Sequence, residues 1–457
     1  MGVGVLCRRR PAVAAAVLTS VVLATALTPF LTRVDARRSA TPAARQLGWV
    51  LAQVNAARTP PSAEISAHFS ARFLKAVPPA SLVAALSPIS AERPVRIATI
   101  VGTARPLHLE ARLVTASGMS LRVVIGVSAH PPNPIESLLI QPFAQAAPIA
   151  SWSGLDRALA RLGLQAGVFA AHVRGGQLGP VVHARSAAAP VAIGSAFKLY
   201  VLGALAQAVR DRHASWSEQL PIHEAWKSLP SGAMQNERAG TRFALRHYAE
   251  QMISVSDNTA ADHLIWRLGR VAIERELIAL GNGSVARNQP FLTTREMFAL
   301  KIAAPPGLRA AYSSGGEDVR RELLAQVDAL PVLLSQAGGW TAPRSVGTIE
   351  WFASPLDLGR AMVGLQALAR HPGARPVRSI LALNPGIPFD STTWRYIAFK
   401  GGSEPGVLSL TWYLERADGR AFVLSIAVND AKHPINEAAT IALAEGAAGL
   451  LAHARGA

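Results

Sequence analysis

The chain has 457 residues, enough for two or three domains with substantial cores; half of them are hydrophobic and 16% are charged. Its net charge is +17, yet only six of its 46 basic residues are lysines, and the arginines are scattered with no basic run beyond Arg8–Arg10. A nucleic-acid binder would gather them on one element with aromatics between, so that class is set aside in favour of an arginine-rich surface suited to an anionic envelope. The single cysteine, Cys7, excludes a disulfide framework and a thiolate metal site.

Residues 1–40 read as an export signal. Arg8, Arg9 and Arg10 precede an uncharged stretch from Pro11 to Phe30, and Ala24-Thr25-Ala26 has the small-x-small form of a cleavage site. The stretch is also long enough to span a bilayer, so the segment is either removed or kept as a membrane anchor. Both readings put the remainder outside the cytoplasm, secreted or anchored.

Residues 41–145 read as a small α+β domain. Helices are expected over Ala43–Ala57 and Ser62–Ala76, with Pro78-Pro79 and Pro88 as punctuation. The period then changes to two over Val95–Val101, Leu107–Thr115 and Ser120–Val127, and Ser137–Phe143 closes the sheet. Helices followed by a curved antiparallel sheet resemble the cystatin-like cone of steroid-isomerase-like domains. Glu64, His68 and Glu110 read as surface residues rather than an acid–base set.

After a linker over Ala146–Trp152, a second domain begins near Ser151 and runs to residue 457. Leu155–Leu162 is helical, and Gly167–Arg174 and Leu178–Arg185 form a hairpin around Gly175-Gly176. Then comes the stretch VAIGSAFKLYVLGAL, Val191–Leu205. A helix starting at Ser195 puts Lys198 one turn above it on the same face. A serine hydroxyl needs a neighbouring base to attack at neutral pH, and a buried lysine with a lowered pKa can serve. Further on, Ser256-Asp257-Asn258 sits at a break between helical patterns. Ser256 can relay a proton, and Asn258 can donate its amide to a substrate carbonyl. Last, Lys400-Gly401-Gly402-Ser403 follows the strand-like Arg395–Phe399. A second lysine there lowers the Lys198 pKa, and the glycines let a backbone edge approach a substrate. Val407–Leu414 and Phe422–Val428 continue the sheet around Asp418-Gly419.

Taken together, Ser-x-x-Lys, Ser-Asp-Asn and Lys-Gly-Gly occur in the order seen in serine β-lactamases and penicillin-binding proteins. Residues 151–457 resemble a class A β-lactamase-type serine hydrolase domain, supported by Ser228-Leu229-Pro230-Ser231-Gly232 and Leu292-Thr293-Thr294-Arg295. With its first domain, the chain is similar to two-domain hydrolases related to a clavulanic-acid gene-cluster product. The resemblance implies an antiparallel sheet with terminal helices on one face and an inserted helical subdomain on the other. It implies Ser195 as nucleophile, Lys198 as its base, and Ser256, Asn258 and Lys400 lining the cleft. Gly401, Gly402 and Ser403 would form the substrate-binding edge, and the Ser195 and Ser403 N–H groups the oxyanion hole. No metal or cofactor is expected; the partner is a small acyl substrate, an ester or β-lactam, or a cell-wall peptide. A non-hydrolytic β-lactam or cell-wall sensor and a D-Ala-D-Ala carboxypeptidase are the competing readings.

Two departures stand out. Gly401 occupies the place of the hydroxyl residue that helps hold a substrate carboxylate. No Glu-x-x-Leu-Asn precedes Thr293-Thr294, and Glu274, Glu276 and Glu296 do not match the deacylating glutamate. Weak β-lactamase activity is therefore expected. Three further signals carry no function: Gly281–Ala286 follows a helix, unlike a dinucleotide fingerprint; the histidines lack metal-ligand spacing; and Trp394 and Trp412 read as core.

Overall fold

A computed structural model describes residues 41–454 other than 57, 59, 101–105, 144–148, 163–164, 230, 333–339, 388 and 391. The N-terminal segment 1–40 and Pro230 therefore lie outside the described residues. Among the described residues no helix is long and apolar enough to cross a membrane.

The first unit packs four helices on one sheet. Helix α1 (Pro42–Asn55) is capped by the Thr41 hydroxyl, which accepts from Ala44 N, and buries Leu47, Val50 and Val54. The helix expected over Ser62–Ala76 is two helices, α2 (Ser62–His68) and α3 (Ala71–Ala76). Phe69 forms a bridge with Ile135, and the Ser70 hydroxyl caps α3. Helix α4 (Pro79–Ala91) is the second difference: Pro79 fits its first turn, and Pro88 lies inside its last turns, where burial of Leu82 and Ile89 outweighs one lost backbone bond. Strands β1 (Arg96–Ile100), β2 (His108–Val114), β3 (Ser120–Val127) and β4 (Ile135–Pro142) pair antiparallel in that order.

In the second unit, helix α5 (Trp152–Arg161) leads to the hairpin β5 (Gln165–Arg174) and β6 (Gln177–Arg185). Three later strands, β7 (Trp394–Glu404), β8 (Val407–Arg416) and β9 (Ala421–Asn429), complete a five-stranded antiparallel sheet in the order β7-β8-β9-β5-β6. Alternation along β9 divides the core. Phe422, Leu424, Ile426 and Val428 face α5 and the last helix, α11 (Glu437–Ala452). Val423 and Ala427 face the opposite side, where a helical subdomain packs. Its principal helices are α6 (Lys198–Arg210), α7 (Leu245–Ser254), α8 (Asn258–Leu268), α9 (Arg270–Ala279) and α10 (Pro355–Leu368). Trp394 and Trp412 pack in the α11-side core, and Trp412 donates to Pro385 O at 2.9 Å. The Gly281–Ala286 stretch turns after α9, and the Asn282 amide donates to Tyr200 Oη and Phe352 O.

The two units touch. Arg122 Nη1 on β3 lies 2.7 Å from Glu445 Oε1 on α11, and Gln141 Nε2 donates to the same oxygen at 3.0 Å.

Candidate active site

Val191–Ala192 pairs with Phe352–Ala353, and Ile193 N donates to Trp351 O. The chain then tightens into a 3-10 turn, Gly194–Phe197, and the α-helix proper begins at Lys198. Ser195 thus sits in a 3-10 turn rather than on the first α-helical turn. Gly194 has φ +48, and a Cβ there would meet Ser403 N at 3.1 Å. Opposite it, a Cβ on Gly402 would lie 2.2 Å from Ile193 O and 2.4 Å from Ser195 N. Only glycine lets the strand edge come this close to the serine turn.

Edge strand β7 sets the other wall. Glu404 and Val407 close a two-residue turn, so alternation in the antiparallel ladder directs the Ser403 N–H to the free edge, beside Ser195 N. Lys400 and Gly402 face the helical subdomain, while Gly401 and Ser403 face α11.

Lys198 is fully buried. Its Nζ donates to Ser195 Oγ (3.1 Å), Ser256 Oγ (3.2 Å), Ser256 O (2.6 Å) and Asn258 Oδ1 (2.6 Å). Burial lowers its pKa to about 7, against the opposing pull of Asp257 and Asp262. Lys400 Nζ reaches Ser256 Oγ at 2.9 Å and Gly401 O at 2.7 Å. Burial, then the neighbouring Lys198, hold its pKa well below the usual lysine value. Two lysines with lowered basicity thus converge on one serine hydroxyl.

Ser256 reaches that point because it has φ +58 between α7 and α8. The Asp257 carboxylate fixes the turn: Oδ1 accepts Ala260 N at 2.8 Å, and Oδ2 accepts Ala233 N and Met234 N at 2.7 and 2.9 Å. Gly232, with φ +84, leaves the space for it, since a Cβ there would fall 1.9 Å from Asp257 Oδ2. Ser231 Oγ donates to Ser256 O, and Thr294 Oγ1 to Ser228 Oγ. Asn258 differs from expectation in what its amide does. Because Oδ1 must face the Lys198 ammonium or amine, Nδ2 points away and donates to Leu229 O at 2.9 Å. Its visible work is to brace Lys198 against the 228–232 segment.

The structure brings Ser195, Lys198, Ser256, Asn258, Lys400, Gly401, Gly402 and Ser403 together around the serine turn. The three acids weighed for deacylation are committed elsewhere. Glu274 accepts from Arg321 and Phe291 N, Glu276 packs on Gly203 of α6, and buried Glu296 caps Thr293 and pairs with Arg270. Among the described residues no cluster of three His, Cys, Asp or Glu is placed to hold a metal ion. One contact was missed by the sequence reading: Ser409 Oγ on β8 donates to Ile193 O at 2.7 Å, next to the serine turn. Nothing in the local sequence marks it, because the contact spans 216 residues.

Comparison with known proteins places the second unit in a known family. The beta-lactamase enzyme family profile matches residues 153–451, and one described as "ORF 12 gene product N-terminal" matches residues 39–130. No curated protein matches. Similar solved structures include the beta-lactamase from Sphaerobacter thermophilus DSM 20745, at 18% identity, with 66% of this chain and 96% of that chain covered and a TM-score of 0.46. The beta-lactamase from Desulfarculus baarsii DSM 2075 is also 18% identical, covering 66% and 98% with a TM-score of 0.45. PBP-A is 15% identical, covering 66% and 96% with a TM-score of 0.44. With most of its length, and the whole of the Ser195 cleft, inside the matched region, the chain belongs to the beta-lactamase enzyme family.

Proposed function

We propose that the protein is an exported serine hydrolase that forms an acyl-serine intermediate on Ser195. The observation that carries this reading is the buried Lys198 amine within 3.1 Å of Ser195 Oγ and 3.2 Å of Ser256 Oγ. In neutral form Lys198 takes the Ser195 proton as Oγ bonds to the substrate carbonyl carbon. The Ser195 and Ser403 N–H groups stabilise the developing oxyanion. As the carbon–leaving-group bond breaks, the proton passes from Lys198 through Ser256 to the leaving group, with Lys400 holding the Ser256 hydroxyl.

Deacylation is the weaker half of the cycle. Water must attack the ester carbonyl, and Lys198, neutral again after giving up its proton, is the nearest base. A bulky β-lactam acyl group obstructs that approach more than a short acyl chain does. Slow β-lactam release and faster turnover of small esters are therefore expected. Pre-steady-state kinetics test it: a burst of one equivalent with benzylpenicillin followed by slow release supports the scheme, and fast burst-free hydrolysis contradicts it. The first unit, read as a cystatin-like domain, would shape the cleft or space the enzyme from a membrane.

A further inference from the structure

Three elements meet at a buried charge cluster behind the serine turn. Lys301 stands on the π-helical turn Ala299–Ala303 and is fully buried. Its Nζ donates to Glu404 Oε1 at 2.5 Å and to Glu350 Oε1 at 3.2 Å, and both carboxyls are buried too. Arg344 Nη1 donates to the Lys301 carbonyl at 2.6 Å, and the centre of the Trp340 ring lies 5.5 Å from Nζ. Ala192, Val346, Phe352 and Val407 pack as one apolar cluster that joins the approach to the serine turn, the strand after Glu350 and the start of β8. Two carboxyls and one ammonium are neutral together when one carboxyl keeps its proton. Burial, then the neighbouring Glu350, hold the Glu404 pKa well above the usual carboxylate value.

Each carboxyl leads to one half of the oxyanion hole. Glu404 follows Ser403 on β7 and pairs with Val407 where the hairpin turns. Glu350 Oε2 accepts Trp351 N at 2.9 Å, and Trp351 O accepts Ile193 N at 3.0 Å, two residues before Ser195. β7 is an edge strand with β8 as its one neighbour in the sheet. Ser409 on β8, paired with Gly402, anchors Ile193 O at 2.7 Å. A single anchor there lets the tip of the strand pivot, and an edge strand has no second ladder to stop it. The Glu404–Lys301 contact supplies the second anchor, on the other side of Ser403. We propose that Lys301 and Glu404 are positioning residues for the oxyanion hole: their bridge ties the tip of β7 to the segment that holds the serine turn, and so fixes the direction of the Ser403 N–H relative to Ser195 N. This rests on the hydrolase reading given above. Neither side chain donates to the oxyanion; both act through the Ser403 backbone.

The test reads the acylation rate and the acyl carbonyl together. Wild type and variants are mixed with p-nitrophenyl trimethylacetate carrying carbon-13 at its carbonyl. Stopped flow follows acylation, and isotope-edited infrared spectroscopy follows the C=O stretch of the ester on Ser195. Glu404→Leu removes the tether and leaves Lys301 and Glu350 as a one-to-one pair. Acylation should slow by about ten- to a hundredfold with KM within about twofold, because one donor is misaimed. The C=O band should move to higher wavenumber, because a misaimed donor polarises the carbonyl less. Glu404→Gln keeps the reach and an acceptor for Lys301, and should stay within about threefold of wild type with its band unmoved. If Glu404→Leu does not fold, Glu404→Asp replaces it: the carboxylate stays but is one methylene too short to reach Lys301, so the same loss and the same band shift are expected. A role in stability alone would lower the melting temperature and leave the band in place. An unmoved band in whichever variant folds, or a Glu404→Gln that falls as far as Glu404→Leu, overturns the positioning role and leaves the hydrolase reading intact. No acylation of the wild type, with no label on Ser195 from a fluorophosphonate, overturns both.

Discussion

Lys198 is the residue on which chemistry and stability pull against each other. An exposed lysine with the ordinary value of 10.5 has roughly three amines in ten thousand neutral at pH 7, whereas burial lowers Lys198 to about 7 and leaves about half neutral. The gain in active base is about a thousandfold. The log of kcat/KM for an activated ester should therefore rise with unit slope from pH 5 and level off just above pH 7. Lys198→Arg keeps a cation that does not deprotonate, and should remove the plateau and lower the rate by several orders of magnitude. The same shift has a stability consequence. Below pH 7 both folded and unfolded lysine are protonated, and the folded state bears the full cost of burying the charge. Between about 7 and 10.5 the unfolded lysine holds a proton that the folded one has released, so stability rises with pH across that window. The full span is about 5 kcal/mol as an upper figure. Urea unfolding at pH 7, 8.5 and 10 reads it: Lys198→Met should flatten much of the slope while abolishing activity. A wild-type rate independent of pH from 5.5 to 8.5, or a profile unchanged in Lys198→Ala, would refute the role given to this residue.

Three other outcomes follow from single contacts. Gly402→Ala puts a methyl 2.2 Å from Ile193 O and 2.4 Å from Ser195 N, all backbone, so acylation should fall at least about a hundredfold by stopped-flow with a stability loss of about 1–3 kcal/mol. Lys301 is fully buried and joins Glu350, at 3.2 Å, to Glu404 at the end of β7. Lys301→Met leaves two buried carboxyls facing each other and should cost about 3–5 kcal/mol by chemical denaturation; an unchanged midpoint would show that the carboxyls relax into solvent. The fragment 146–457 loses the Arg122 and Gln141 partners of Glu445 and the packing of α3 on α7, and among the described residues it loses no hydrogen bond to Ser195, so it should keep Ser195 reactive with a lower melting temperature. A folded fragment that takes no label would show that the first unit completes the site.

What could be read in the sequence was local. Ser195 and Lys198 are three residues apart, so any helical turn brings them together, and the 3-10 turn that replaced the expected α-helical start did not change which groups meet. The strands of the second unit were legible because β5 and β9 are apolar and each borders a glycine turn, Gly175-Gly176 after β5 and Asp418-Gly419 before β9. Pro88 misled because proline was read as a break, while its place near the end of α4 removes one hydrogen bond from a helix held by tertiary packing. The amide of Asn258 could not be assigned from its neighbours in sequence, since its direction is fixed by Lys198, 60 residues away. The Ser409–Ile193 contact and the Lys301–Glu350–Glu404 cluster were invisible for the same reason: each joins elements that the fold, not the spacing, brings into contact.

The central claim is a covalent acyl group on Ser195, and intact-protein mass spectrometry with peptide mapping tests it most directly. After mixing with benzylpenicillin, the protein should carry one added penicilloyl mass, located on the peptide containing Ser195 and absent in Ser195→Ala. An unmodified protein, or an adduct that persists in Ser195→Ala, would contradict it.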